Sequence, residues 1–204
     1  MIEDPPAAAS PAETALALIG SEHRAIARTL DALEQVTAEI ADARRSPDFA
    51  LLSTILAYLD TFPARRHHPL ESGLLFPTIR RHTTALDATL GALEADHARG
   101  PGTILALERA LVHAQGGVPD AVAGFTEAVA AFCASERRHM EVEDREILPA
   151  ARRLLGDADW TPVIAAFEAN DDPLFGARRA GSFDKLFRRI VNLAPRRVRQ
   201  QMTR

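Results

Sequence analysis

Apolar residues recur every three or four positions along the first forty residues, which is the spacing of one face of an α-helix. This stripe consists of Leu16, Ile19, Ile26, Leu30, Leu33 and Ile40. His23 lies on the same stripe, so we expect its side chain to face the core. Ser10 precedes Pro11, and Glu13 follows three positions later, which is the pattern of a capping box. The sequence therefore predicts a long first helix that begins near residue 11.

A second stripe of the same spacing follows a Ser-Pro-Asp break at 46–48. Pro63 and Pro69 fall inside the middle of this predicted second helix. Proline removes a backbone donor and tends to kink a helix, so we expect a bend around 62–69. The apolar spacing then resumes over 71–79, which indicates that the helix continues beyond the bend.

Two further stripes predict a third and a fourth helix. The third carries His97, and Gly100-Pro101-Gly102 predicts a break or a kink just after it. A Gly-Gly-Val-Pro turn at 116–119 leads to the fourth helix, which we expect to end near Leu155. Four long helices joined by short breaks predict an all-α fold, an antiparallel up-down-up-down four-helix bundle.

The bundle is predicted to span residues 12–155. Residues 1–11 are acidic and proline-rich, and we expect them to form a disordered leader. Residues 156–204 are interpreted as a C-terminal extension of short helices around a proline-containing loop. We expect its aromatic residues to pack on the bundle, namely Trp160, Phe167, Phe175, Phe183 and Phe187.

Composition limits the classes of partner. A net charge of −4 and a pI near 6.0 give no electrostatic reason to expect nucleic acid. No apolar run reaches the ~18 to 20 residues that span a bilayer, and the N-terminus does not resemble a secretory signal. Cys133 is the single cysteine, which excludes an intramolecular disulfide and fits a reducing compartment. We therefore expect a cytoplasmic protein without a membrane partner.

Each predicted bundle helix carries a histidine on or near its apolar stripe, namely His23, His67, His97 and His139. Glu71 and Glu143 follow two of these histidines at a spacing of four, which places each pair on one helix face. A buried carboxylate is costly unless it is paired or bound to a metal. Imidazole together with carboxylate suits iron, manganese or zinc. The duplicated motif predicts two metals, related by approximate two-fold symmetry and bridged by Glu71 and Glu143.

Two positions leave the ligand set open. His68 is a candidate for a direct ligand or for a donor behind the ligands, although His67 has the better spacing to Glu71. Asp144 lies five residues after His139 and competes with Glu143 as the bridging carboxylate.

The remaining ionisable residues near the motifs are expected to be less central. Glu136 lies one turn before His139 and is a candidate for a group that supports the ligands. Glu22 precedes His23 and is expected to be solvated. We expect His82 and His113 to lie on the surface, and Cys133 to be a small core residue.

Four stretches together resemble the hemerythrin-like (HHE cation-binding) family in order and spacing. These stretches are SEHRAI, HHPLESGLLFP, LEADHARG and HMEVEDREILP. The resemblance covers about 12–155, and the later DW…AF…N.DPLFG segment resembles the C-terminal extension of a bacterial subgroup. The resemblance implies a four-helix bundle around a non-heme di-iron centre that binds dioxygen or other small oxidants. The iron ligands that it implies are His23, His67, Glu71, His97, His139 and Glu143.

The chain departs from the oxygen-carrying members of that family in its third helix. Those members have a His-x-x-x-His pair there, whereas Leu93 and Pro101 lie four residues either side of His97. A site with one ligand fewer favours sensing or redox chemistry over reversible oxygen transport.

The sequence thus leads to one preferred function and two rivals. The preferred function is binding or sensing of a small oxidant (O2, NO or peroxide) or of iron by a di-iron protein, although other divalent metals would fit the ligands. The first rival is a di-iron oxidase or peroxidase with the same ligands. It ranks second because the sequence shows no separate acid–base constellation. The second rival is a metal-free structural bundle.

Overall fold

The chain is described from a computed structural model that covers residues 9–41, 48–176 and 181–193. The first bundle helix is α1 (Pro11–Ala41). The second consists of α2 (Phe49–Leu59), π1 (Asp60–His67), α3 (His68–Leu70), π2 (Glu71–Leu75) and α4 (Phe76–Arg80). The third is α5 (Asp87–Gln115), and the fourth consists of α6 (Ala121–Val142), π3 (Glu143–Ile147) and α7 (Leu148–Leu154). The predicted leader falls mostly on residues 1–8, outside the described residues.

Two apolar clusters show the direction of each bundle helix. The larger cluster includes Ile26, Leu30, Phe62, Ile104 and Phe125. The smaller cluster includes Ile19, Leu75, Leu90, Ile147 and Trp160. In chain order α1 runs from the smaller cluster to the larger, the second helix returns, α5 runs to the larger again, and the fourth helix returns. The predicted up-down-up-down four-helix bundle is therefore confirmed.

The start of α1 follows the predicted capping box. The backbone N–H of Ser10 donates to Glu13 Oε2 over 3.0 Å, and the N–H of Glu13 donates to Ser10 Oγ over 3.3 Å. Two of the amide donors that a helix start leaves without intrahelical partners are thereby satisfied.

Three turns of the bundle helices are π-helical, and each ends two residues before a proline. The N–H groups of His68, Phe76 and Leu148 donate to carbonyls five residues back rather than four. The following prolines are Pro69, Pro77 and Pro149. A proline lacks an N–H and crowds the carbonyl four residues earlier, so the preceding turn widens.

The sequence predicts a break or a kink at Gly100–Gly102. The structure shows no break there, because α5 continues through this segment as a single helix. Leu93 lies before Pro101 and Ile104 after it, and both are buried in the core. Packing on both sides outweighs the low helix propensity of this segment.

The C-terminal extension contains α8 (Asp157–Glu168), a 3₁₀ turn (Gly181–Phe183) and α9 (Asp184–Leu193). α8 packs against α1, whereas α9 packs against α1 and α2. Trp160 is fully buried in the smaller cluster. Among the described residues, no helix combines the length and the apolar character that a bilayer span requires.

Candidate metal centre

One polar layer separates the two apolar clusters of the bundle. It contains buried side chains from all four bundle helices: His23, His67, His68, Glu71, His97, His139 and Glu143. Each of these side chains is at most 9 % exposed. Seven ionisable groups in one buried layer are far from the usual composition of a protein core. Packing alone therefore does not account for the layer, which indicates a chemical function.

Two groups of metal-ligating atoms lie within this layer. The first contains His23, His67 and Glu71, whose ligand atoms lie within 4.8 Å of one another. Oε1 of Glu71 lies 3.5 Å from Nε2 of His23 and 3.3 Å from Nε2 of His67. The i and i+4 spacing of His67 and Glu71 brings the two side chains to one face, as the sequence predicts.

The second group contains His68, Glu71, His97 and His139. Oε2 of Glu71 lies 3.5 Å from Nε2 of His97, which in turn lies 2.9 Å from Nε2 of His139. The ring of His68 stacks on that of His97, with centroids 4.3 Å apart. Glu71 thus directs one carboxylate oxygen to each group.

Glu143 mirrors Glu71 from the opposite helix. Its Oε2 lies 3.5 Å from Nε2 of His23, and its Oε1 lies 3.3 Å from Nε2 of His139. Both glutamates therefore offer one oxygen to each side of the layer. This is the arrangement in which a carboxylate can bridge two cations.

The Nδ1 atoms of His67 and His23 face carboxylates outside the layer. Nδ1 of His67 lies 2.6 Å from Oε2 of Glu22, and Nδ1 of His23 lies 2.9 Å from Oδ1 of Asp144. An imidazole that donates from Nδ1 to a carboxylate presents Nε2 as the ligand atom and is a better donor to a metal. Asp144 acts here on the outer side of His23, whereas the oxygens of Glu143 face the interior of the layer.

His97 and His139 have weaker outer partners. Nδ1 of His97 lies 2.7 Å from the hydroxyl of Ser72, and Nδ1 of His139 lies 3.4 Å from Oδ2 of Asp96. His23, His67, His97 and His139 therefore each have Nδ1 towards an outer partner and Nε2 towards the layer, whereas Nδ1 of His68 has no such partner. The two sides of the layer differ, because the His23 and His67 side has the shorter carboxylate contacts.

Several polar atoms of the layer lack a hydrogen-bond partner. These atoms are both carboxylate oxygens of Glu71, both of Glu143, Nε2 of His23 and Nδ1 of His68. Buried polar atoms are nearly always satisfied in folded proteins, and leaving them unpaired is costly. A group of unpaired carboxylate oxygens and imidazole nitrogens that face one another fits divalent or trivalent cations.

Protonation in the metal-free layer follows the same geometry. Burial opposes ionisation of Glu71, but the positive charge of His67 and the nearby imidazole of His23 outweigh it, and the pKa of Glu71 lies well below its usual range. Burial raises the pKa of Glu143, and the negative charge of Glu71 raises it further. Burial lowers the pKa of His23, but the hydrogen bond to Asp144 and the nearby carboxylate of Glu71 outweigh it and raise that pKa to about 9. Protons on the histidines thus balance the carboxylate charge that cations would otherwise balance.

The expectation that Glu22 is solvated is wrong. Its side chain is buried, and it contacts His67 and the amide of Asn170. Glu22 lies three residues after Ile19 and four before Ile26, so it shares the apolar stripe as closely as His23 does. That spacing was the signal for its burial, but Asn170 lies 148 residues away and gave no local sign.

Four other residues that the sequence singles out lie outside the layer. His82 and His113 are exposed, and Cys133 is fully buried in the larger cluster, as predicted. Glu136 is partly buried one turn before His139, and this burial raises its pKa to about 6.

Comparison with known proteins agrees with this geometry. No curated protein and no solved structure shows significant similarity to the chain. The model of the hemerythrin HHE cation binding domain matches residues 14–151, which include all seven side chains of the layer. A cation-binding domain of this kind agrees with the helical bundle and with its His/Glu clusters, which could hold a metal. The chain therefore belongs to the hemerythrin HHE cation-binding domain family.

Proposed function

We propose that the protein binds two iron ions in the histidine and glutamate layer and uses them to bind or sense a small oxidant such as O2, NO or peroxide. The observation that carries the proposal is the pair of buried glutamates, Glu71 and Glu143. Each directs one unpaired oxygen towards each side of the layer. Metal-free packing gives no reason for two carboxylates to share such a position.

The proposed ligands divide between two positions. His23 and His67 hold one ion, and His97 and His139 hold the other. His68 supplies a third imidazole at the second position, because it is buried, lies in the same group as His97 and His139, and has an unpaired Nδ1. It thereby offers a replacement for the histidine that the third helix lacks.

The protein's own groups prepare the site in three ways. The outer partners of His23, His67, His97 and His139 hold each Nε2 towards the layer. The apolar clusters on both sides exclude water from the carboxylates. A groove of about 420 Å³, lined by His68, Ser72, Glu94 and His97 among others, reaches the second position from the surface. Iron, when bound, supplies the one-electron redox chemistry and the open coordination position that a diatomic or peroxide ligand requires.

The proposal also covers the location of the protein and its partner. We place the protein in the cytoplasm, with a small diatomic or peroxide as its partner. The single cysteine, which is buried, fits a reducing compartment.

The direct test measures the metal content of protein produced with iron. We expect about two irons per chain in the wild type and in the exposed control variant Glu146→Ala. We expect strong loss of iron in Glu71→Ala and in Glu143→Ala. Less than about one metal per chain in the reconstituted wild type would refute the proposal.

Visible spectra under air then separate the possible functions. A colour that changes reversibly with oxygen indicates transport, whereas irreversible oxidation indicates sensing or redox chemistry. Sustained turnover of peroxide or of an organic substrate would instead establish the alternative, a di-iron oxidase or peroxidase.

A further inference from the structure

The segment that follows α8 reaches the histidine layer although it lies beyond residue 151, where the family match ends. Nδ2 of Asn170 lies 3.2 and 3.1 Å from the two carboxylate oxygens of Glu22. Oε2 of Glu22 in turn accepts from Nδ1 of His67 over 2.6 Å. Asn170, Glu22 and His67 thus form one continuous hydrogen-bonded chain that ends at a proposed ligand.

α8 itself contacts His67 directly. The ring of Phe167 meets that of His67 edge-on, with centroids 5.9 Å apart, and Phe167 is 3 % exposed. Asn170 is 6 % exposed, and its N–H donates to the carbonyl of Phe167. The extension therefore both packs on His67 and bonds to its partner.

The turn after Asn170 is built to stay in one place. Oδ1 of Asp172 accepts from the N–H groups of Leu174 and Phe175 over 2.7 and 3.1 Å, and Oδ2 accepts from the hydroxyl of Tyr58 over 2.9 Å. A Cβ atom at Gly176 would lie 2.4 Å from the carbonyl oxygen of Asp172, so the close turn requires glycine. A hydroxyl from the second bundle helix thereby anchors the turn.

A second anchor comes from the residue that precedes His67. Nη1 of Arg66 donates to the carbonyl oxygen of Asp171 over 3.2 Å. The extension is thus attached to the second bundle helix just after Asn170, at Asp171 through Arg66 and at Asp172 through Tyr58.

The chemistry of Asn170 suits a positioning role. Glu22 is buried and needs donors to remain a good hydrogen-bond acceptor. An arginine or lysine at this place would compete with His67 for the carboxylate charge, because charged donors bind carboxylates more strongly. A neutral amide supplies donors and leaves the negative charge of Glu22 directed at the imidazole.

We propose that Asn170 is a positioning residue of the metal centre. It holds Glu22 against Nδ1 of His67 and so fixes the orientation in which Nε2 of that imidazole can bind a metal. The inference rests on the proposed function, and it makes the segment 157–176 part of the site. It also predicts that Asn170 affects metal affinity only at the position held by His23 and His67.

The test compares the affinity of wild type, Asn170→Ala and the exposed neighbour control Glu168→Ala for Co²⁺, by competition with a chelator. We expect Asn170→Ala to weaken one of the two binding steps about tenfold, the lower end of the effect of groups that support metal ligands. Glu168→Ala leaves both steps unchanged. The loss caused by Asn170→Ala should disappear in a Glu22→Ala background, because the two residues act as one unit.

Thermal unfolding of the metal-free proteins separates positioning from a general structural role. If Asn170→Ala lowers the Tm but leaves both Co²⁺ affinities unchanged, or if its effect on affinity persists in Glu22→Ala, the inference is wrong. Asn170→Asp keeps the size of the side chain and replaces donors by acceptors, so it gives the same test if the alanine variant does not fold. A wild type that binds no metal would overturn the proposed function together with the inference, whereas two bound ions and an unaffected Asn170→Ala overturn the inference alone.

Discussion

The number of metals can be counted from stability, because two overlapping ligand groups share Glu71. A ligand that binds only the folded state stabilises it by RT ln(1 + [L]/Kd), which amounts to about 1.4 kcal/mol for each tenfold increase in free metal per site. Two sites predict a slope of about 2.8 kcal/mol per decade. With both ions at 100 times their Kd the total is about 5.4 kcal/mol, which corresponds to a rise in Tm of roughly 10–20 °C for a chain of this size.

The assay is urea unfolding, followed by circular dichroism, at several free Fe²⁺ concentrations that a chelator buffers without oxygen. The double variant His23→Ala/His67→Ala removes the first ligand group, and its slope should fall to about 1.4 kcal/mol per decade. His82→Ala is the matched control, because His82 is exposed on the surface. A wild-type slope near zero would refute metal binding, and a slope near 1.4 would refute the second ion.

Three further predictions concern single residues. His68→Ala should weaken the second metal position about 10–100-fold, measured by Co²⁺ competition, while the exposed His113→Ala leaves it unchanged; equal affinities would exclude His68 as a ligand. Burial raises the pKa of Glu136 from its usual 4.5 to about 6, so its ionisation disfavours the folded state as pH rises through that window. Glu136→Gln should therefore stabilise the metal-free protein by about 1 to 2 kcal/mol at pH 7 and not below pH ~4.5, and an equal effect at both pH values in urea titrations would contradict this reasoning. Burial raises the pKa of the Cys133 thiol to about 12, so iodoacetamide at pH 8 should label it only in urea; rapid labelling of the folded chain would contradict its burial.

The helices were predictable because their information is local. An apolar residue every three or four positions describes each buried face, and the capping box at Ser10 marks the start of α1. The uninterrupted course of α5 was less visible, because Leu93 and Ile104 pack against other helices and thereby outweigh Gly100 and Gly102. Tertiary packing of this kind cannot be read from propensity alone.

Part of the candidate site was equally local, and part was not. His67 and Glu71 are neighbours on one helix, so their spacing already predicts their proximity. The contact of Glu22 with Asn170 joins residues far apart in the chain, and no periodicity signals it. The sequence also favoured His67 over His68 as a ligand, whereas the structure brings both to the layer. His67 is the last residue of the wide turn π1 and His68 follows it directly. Consecutive side chains diverge less around the axis of a π-helix than around that of an α-helix.

The prolines after the π turns have opposite effects on helix stability and on the geometry of the proposed metal ligands. Alanine at Pro77 or Pro149 would restore a backbone donor, and a regular ladder there would add up to ~3 kcal/mol of helix stability. The same change would narrow the turn that begins at Glu71 or Glu143 and so alter the direction of that carboxylate relative to the rest of its helix. Selection for a stable bundle and selection for ligand geometry therefore act in opposite directions at these positions. A laboratory search for thermostable variants without metal would be expected to replace these prolines and to lose the centre.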